Sequence, residues 1–203
     1  MKRLRLYAAS AALSLLAPVV NAADLDAIMQ ECNDCHGDNG VSQWSDVPTI
    51  AGIDEFVHSD ALFIYRDKER PCADHAYNQG DTSRPETNMC SVTEGLSDED
   101  IEDIAAAYSE LPYVRATQDF DASLAAAGEA LHNEHCDKCH SDAGMNAEDE
   151  ASMLGGQQMG YLKTSFAQFA AGDREQPAKM KEKMDPLSDD DVKALLHYYA
   201  SQQ

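Results

Sequence analysis

The feature that most constrains this chain is a duplicated pentapeptide, Cys32-Asn33-Asp34-Cys35-His36 and Cys136-Asp137-Lys138-Cys139-His140. In Cys-x-x-Cys-His, two thiols on one helical turn can add to the two vinyl groups of a haem, and the adjacent imidazole can reach the iron. A bare Cys-x-x-Cys would also suit a redox dithiol or half of a zinc site. Two copies in one short chain with an export signature select the haem reading. Two covalent c-type haems are therefore expected, held by Cys32 and Cys35 and by Cys136 and Cys139, with His36 and His140 as axial ligands.

The export signature is the leader at residues 1–22. Lys2, Arg3 and Arg5 precede an apolar run over residues 6–20, which closes on Val20-Asn21-Ala22 in the manner of a cleaved signal peptide. Ser10, Ser14 and Pro18 interrupt the run, which is short for a bilayer span, so no membrane insertion is expected after cleavage. Haem attachment of this type takes place outside the cytoplasm, and the expected address is an oxidising periplasm. Losing the leader's three cations takes the formal charge from −22 to −25, which excludes nucleic acid and anionic membrane as partners. Such acidity serves either as a solvated surface or to steer a basic partner.

The second half repeats the first at an offset of 104 residues, from Cys32/Cys136 through Gly40/Gly144 and Gly52/Gly156 to Arg70/Arg174. Beyond Arg70 the offset falls to 91, at Met89/Met180, so the first half carries a 13-residue insertion. The expected organisation is a first domain at 23–113, a linker at 114–120 and a second domain at 121–203. Domains this small bury a modest share of their surface, so each should depend on its haem as an apolar centre.

Helical patterning runs over 24–33 and 123–135, which deliver the cysteines, and over the middle segments 60–68 and 161–171. Ser97 and Ser188 each precede three acids, the signature of a helix start. The helices that follow place Ile101, Ile104, Ala105 and Tyr108, or Val192, Leu195, Leu196 and Tyr199, on one face. No strand pattern is present, so the fold class is all-α.

Each iron needs a sixth ligand, and the repeat offers Met89 and Met180, each seven residues before a Leu-Ser helix start. Thioether ligation favours the ferrous state and suits electron transfer. Met184 rivals Met180 from one turn further on. Behind His36, the carbonyl of Pro48 can accept the second ring N–H and fix the imidazole, a place held by Ser152 in the second half. His58, His75, His132, His135 and His197 are expected at the surface or satisfied in the core. With no phosphate loop or dinucleotide fingerprint, any flavin or nicotinamide belongs to another chain. Cys72 and Cys90 are the two thiols left over; in an oxidising compartment they are expected to pair, the alternatives being free thiols or a metal site with His75.

Pro48-Thr49-Ile50-Ala51-Gly52 and the paired Met-x6-Leu-Ser motifs resemble a tandem of two class I cytochrome c domains of the cytochrome c4 family. Phe120-Asp121-Ala122-Ser123-Leu124, Gly128-Glu129-Ala130-Leu131-His132 and the terminal Tyr199-Ala200-Ser201-Gln202-Gln203 are similar to the dihaem subunit of flavocytochrome c sulfide dehydrogenase. That resemblance implies an electron-transfer subunit that does no bond chemistry itself. It would accept electrons from a sulfide-oxidising flavoprotein, whose FAD lies on the partner chain, and release them to a soluble acceptor such as a small cytochrome. The alternative is a free cytochrome c4-type carrier serving a terminal oxidase. An enzyme such as a peroxidase would need an open iron position, which two placed methionines argue against.

Overall fold

The computed structural model describes residues 22–203, so the expected leader lies outside the described residues except for its last position. Among the described residues nine α-helices are joined by loops and short 3₁₀ turns. The only extended pairing among these residues is an isolated bridge between His75 and Thr87. None of the described helices is long and apolar enough to cross a membrane.

The first half contains α1 (Ala22–His36), α2 (Glu55–Arg66), α3 (Met89–Thr93) and α4 (Asp98–Ser109). α4 starts where its acids predict: Ser97 caps the Asp100 N–H while the Asp100 carboxylate accepts from the Ser97 N–H, a reciprocal capping box. Its buried face, Ile101, Ile104, Ala105 and Tyr108, packs with Ile50 and Leu62 against Leu25, Ile28 and Met29 of α1. α2 begins at Glu55 rather than at residue 60, because the Asp54 side chain accepts from the Val57 N–H and caps the helix early. The added turn carries Phe56 exposed to solvent, which is why no apolar periodicity marks it.

The second half contains α5 (Ala122–His135), the distorted turn α6 (Ser141–Gly144), α7 (Met159–Ala171), α8 (Ala178–Met184) and α9 (Asp189–Ala200). Ser188 and Asp191 repeat the capping box. Leu195, Leu196, Tyr198 and Tyr199 of α9 pack with Leu162 of α7. α5 and α9 cross at Gly128, where a Cβ would lie 2.1 Å from the Ala194 carbonyl oxygen, so only glycine allows this approach. The repeat is visible in equivalent backbone bonds. Gly40 and Gly144 accept from Ile50 and Leu154, and Gly52 and Gly156 donate to Tyr108 and Tyr199.

The segment between the halves is extended and packed. The Ala116 N–H donates to Gly156 at 2.7 Å, and the Gln118 amide bridges the Gln157 carbonyl and the Met159 N–H. The halves meet through buried amides. Gln157 exchanges two 2.9 Å bonds with the backbone of Thr49, and Gln158 donates to the Ser42 carbonyl at 2.7 Å.

Candidate haem sites

α1 carries the first motif through to its last residue. A helix ends with carbonyls that have no partner in the helix, and here the donors come from the inserted segment. The Asp34 carbonyl accepts from the backbone of Asn78 and Gln79, and the Cys35 carbonyl accepts from the Asn78 side chain, each at 3.0 Å. Cys32, Cys35, His36 and Met89 all line one cavity of about 260 Å³, walled by apolar side chains including Ile50, Leu62 and Ile104. His36 is buried and its Nδ1 lies 2.9 Å from the Pro48 carbonyl. A carbonyl only accepts, so Nδ1 carries the proton and the lone pair is on Nε2. Burial pushes the ring's pKa below its usual value, against the pull of the Pro48 carbonyl, which keeps it neutral as a metal ligand must be. Burial also pushes the Cys32 thiol up to about 12 and raises that of Cys35, with Glu31 adding to both. Such thiols are poor redox nucleophiles and poor zinc ligands. Among the described residues no three His, Cys, Asp or Glu side chains converge in metal-holding geometry.

The cavity lining also includes a polar group of residues. Arg70 is 6% exposed, donates to the Tyr161 hydroxyl at 3.3 Å and stacks over Tyr65; its Nε is buried without a partner. Arg174 lines the same cavity, and Ser165 Oγ and Gln168 Oε1 are also buried and unpaired. The two guanidinia hold the Tyr161 phenol below its ordinary pKa although burial alone would raise it. Buried guanidinia without a carboxylate partner are costly. A lining that combines thiols and an imidazole, apolar walls and two cations matches the polarity of a haem with its propionates. These residues fit the group.

The second motif is built differently. α5 stops at His135, and the His132 carbonyl accepts from both Cys136 and Asp137, so the motif continues as a turn rather than as helix. Cys136 is half-buried and Cys139 exposed. Burial pushes the His140 pKa down, and its buried Nδ1 makes no well-formed hydrogen bond, although the Ser152 backbone is the nearby acceptor. Met180 and Met184 are both half-buried on α8, and neither packs into the second core.

Of the other histidines, His197 is satisfied by the Asp121 N–H, whereas buried His132 is satisfied only at Nδ1, 3.1 Å from the Tyr199 hydroxyl, its Nε2 having no hydrogen-bond partner. His75 faces Asp46 at 3.2 Å. His58 departs from expectation: it is 5% exposed and lines the first cavity, and its Nδ1 is unpaired. The repeat hints at this, since Leu162 stands at the matching place. Arg70 and Arg174 could also have been found there, as charges conserved between the two halves of one chain where a core was expected. Cys72 and Cys90 are joined by a disulfide with Cα atoms 5.9 Å apart, beside Met89.

A family model described as cytochrome C oxidase, cbb3-type, subunit III matches residues 123–198. Over 180 residues the chain is 29% identical to cytochrome c4 of Stutzerimonas stutzeri, covering 82% of each. The crystal structure of reduced recombinant cytochrome c4 from Pseudomonas stutzeri matches with a TM-score of 0.70 and 26% identity, over 90% of this chain and 98% of that one. A thiosulfate dehydrogenase from Marichromatium purpuratum matches with a TM-score of 0.64 and 25% identity, over 84% of this chain and 36% of that one. The chain thus has the all-α fold of the dihaem cytochrome c structures, with the haem-attachment motif duplicated. More particularly, over most of its length the chain is similar to dihaem cytochrome c4, in sequence and in fold.

Proposed function

We propose that this chain is the periplasmic electron-transfer subunit of a sulfide-oxidising FAD flavoprotein, passing electrons on to a soluble acceptor. The observation that carries the electron-transfer role is the first cavity, where two thiols, a neutral imidazole and a thioether line one apolar space. Each bound haem supplies an iron that takes up and releases one electron. Cys32 and Cys35 hold the first macrocycle, and Cys136 and Cys139 the second. His36 and Met89 would ligate the first iron, and His140 and Met180 the second. Pro48 keeps the His36 lone pair aimed, and the methionine sulfurs favour the reduced state. Arg70 and Arg174, which line the first cavity, would offset the charge of its propionates.

The sulfide-oxidising partner is supported by the resemblance of residues 120–124 and 199–203 to the flavocytochrome subunit. The likeness to part of a thiosulfate dehydrogenase adds support for a role in oxidising sulfur compounds. A second reading, a free cytochrome c4-type carrier to a terminal oxidase, is favoured by the match over 98% of the cytochrome c4 structure. Purification from the native source separates them: a yellow flavin chain should travel with the red one, and sulfide mixed into the complex should reduce flavin and then haem. A chain that binds no flavoprotein yet exchanges electrons rapidly with a membrane oxidase would establish the second reading. For the ligands, the ferric methionine–iron charge-transfer band should report two haems, and Met89→Ala should halve it. Met180→Ala should remove the other half; loss only in Met184→Ala would reassign the second ligand.

A further inference from the structure

Residues 71–88 contain no helix, and most of them belong to the insertion that the second half lacks. They lie over α1 at the turn that attaches the first haem. The Tyr77 hydroxyl donates to Glu31 at 2.6 Å. Arg84 donates to Glu31 at 2.6 Å and also to Asp34, with its guanidinium 3.5 Å from the Tyr77 ring. Asn78 and Gln79 cap the Asp34 and Cys35 carbonyls, and the Gln79 side chain reaches Asp38 at 2.9 Å. The ends of the segment are tied by the Cys72–Cys90 disulfide and by Asn88 donating to Asp74 at 2.7 Å. Charge-assisted bonds and a stacked guanidinium are the stronger of the contacts available to a surface loop. Here they converge on the two acids that flank Cys32 and Cys35. At the second motif Cys139, the counterpart of Cys35, is exposed, as is Lys138 beside it.

We propose that residues 71–88 form a latched strap, with Arg84 as the latch, that closes the attachment edge of the first haem to outside redox partners and leaves that of the second haem as the outward one. The thioether bonds place the vinyl-bearing edge of each macrocycle at its cysteines. A segment bonded to the Cys35 carbonyl, and lining the cavity with Cys72, His75 and Tyr77, therefore covers that edge. Arg84 is a positioning residue: its loss leaves Glu31 and Asp34 facing each other without a cation and frees the strap.

The inference rests on the dihaem reading, which haem quantitation of the wild-type holoprotein tests separately; fewer than two haems per chain would remove that reading itself. The strap is tested on the reduced, diamagnetic holoprotein by NMR, with the neutral relaxation agent gadodiamide as probe of the thioether methyl protons of each haem. In the wild type the second haem's methyls should relax strongly and those of the first should be protected. Arg84→Ala should raise the effect at the first haem to that of the second and leave the second unchanged, and Arg84→Lys should restore most of the protection. Because the probe is uncharged, a mere change of local charge does not move this readout. Equal relaxation at both haems in the wild type, or an unchanged first haem in Arg84→Ala, would overturn the strap. Should Arg84→Ala lose haem, Asn78→Ala, which keeps every charge, is held to the same two outcomes.

Discussion

In the first half α1 runs through all five residues of its motif, whereas α5 stops at His135, one residue short of Cys136. Both pentapeptides have the same spacing, so the difference comes from what meets the helix end. The inserted segment brings donors to the Asp34 and Cys35 carbonyls. With no such segment, the second half satisfies itself locally, and the His132 carbonyl takes two N–H groups and ends the helix. Helix termination is here a tertiary decision. The two halves also close their cores differently. In the first, the Tyr108 hydroxyl reaches the Met29 carbonyl and the Asn33 side chain; in the second, the Tyr199 hydroxyl meets His132. The first half is thus stapled by a disulfide and a strap, the second by one close helix crossing.

Gly128→Ala should break that crossing, and with it the second half alone. The added carbon would meet the Ala194 carbonyl oxygen at 2.1 Å and the Tyr198 Cβ at 2.7 Å, and neither is the free end of a flexible chain. Forcing α5 from α9 should cost about 3 kcal/mol. Denaturation followed at each haem by circular dichroism should show an early transition at the second haem only. A shift shared equally by both would mean that the halves unfold as one unit.

Cys90→Ser sharpens the comparison from the other side. Opening the disulfide should remove about 2 to 3 kcal/mol from the first half. Cys90 follows Met89 directly, so the thioether should also become easier to displace by imidazole, seen as early loss of half the charge-transfer band. Unchanged imidazole affinity would show that α3 and the Asn88 cap, which accepts from the Ser91 N–H, hold Met89 without the bridge.

What could be read in the sequence was local or repeated. The capping boxes at Ser97 and Ser188 depend on residues three apart, and the duplicated motif with its glycine spacing announced two similar all-α halves. What escaped it depends on partners far along the chain. Gln157 and Gln158 look like surface residues, yet they are buried because their acceptors and donors are the backbone of Thr49 and Ser42, more than 100 residues away. Arg70 and Arg174 were visible as a matched pair, but their convergence on Tyr161 follows only from how the two halves dock. The helices were expected to end at residues 33 and 135; α5 does end at His135, whereas α1 runs on through His36, because the pentapeptide does not encode its own cap.

The smallest effect is expected where the halves differ by a single side chain, at His58 and Leu162. His58 is buried beside Tyr108, with ring centroids 5.6 Å apart, and burial pushes its pKa down to about 4, with His36 adding to the shift. It is therefore neutral in the fold, while the unfolded chain takes up a proton near pH 6.5. Between these values the unfolded state binds more protons, so stability is complete above about pH 6.5 and falls as the pH drops towards 4. His58→Leu should copy the second half, remove an unpaired Nδ1 and raise stability at pH 7 by about 1 kcal/mol. The gain should widen at pH 5, where the wild type has begun to lose stability and the variant has not. His36, His132 and His140, also held below their usual pKa by burial, would keep a residual acid slope in both proteins. Thermal melts of the two holoproteins from pH 7 to pH 4 decide the matter. Parallel curves would mean that the imidazole finds a hydrogen-bond partner beside the haem, and that the difference between the halves at this position is one of shape alone.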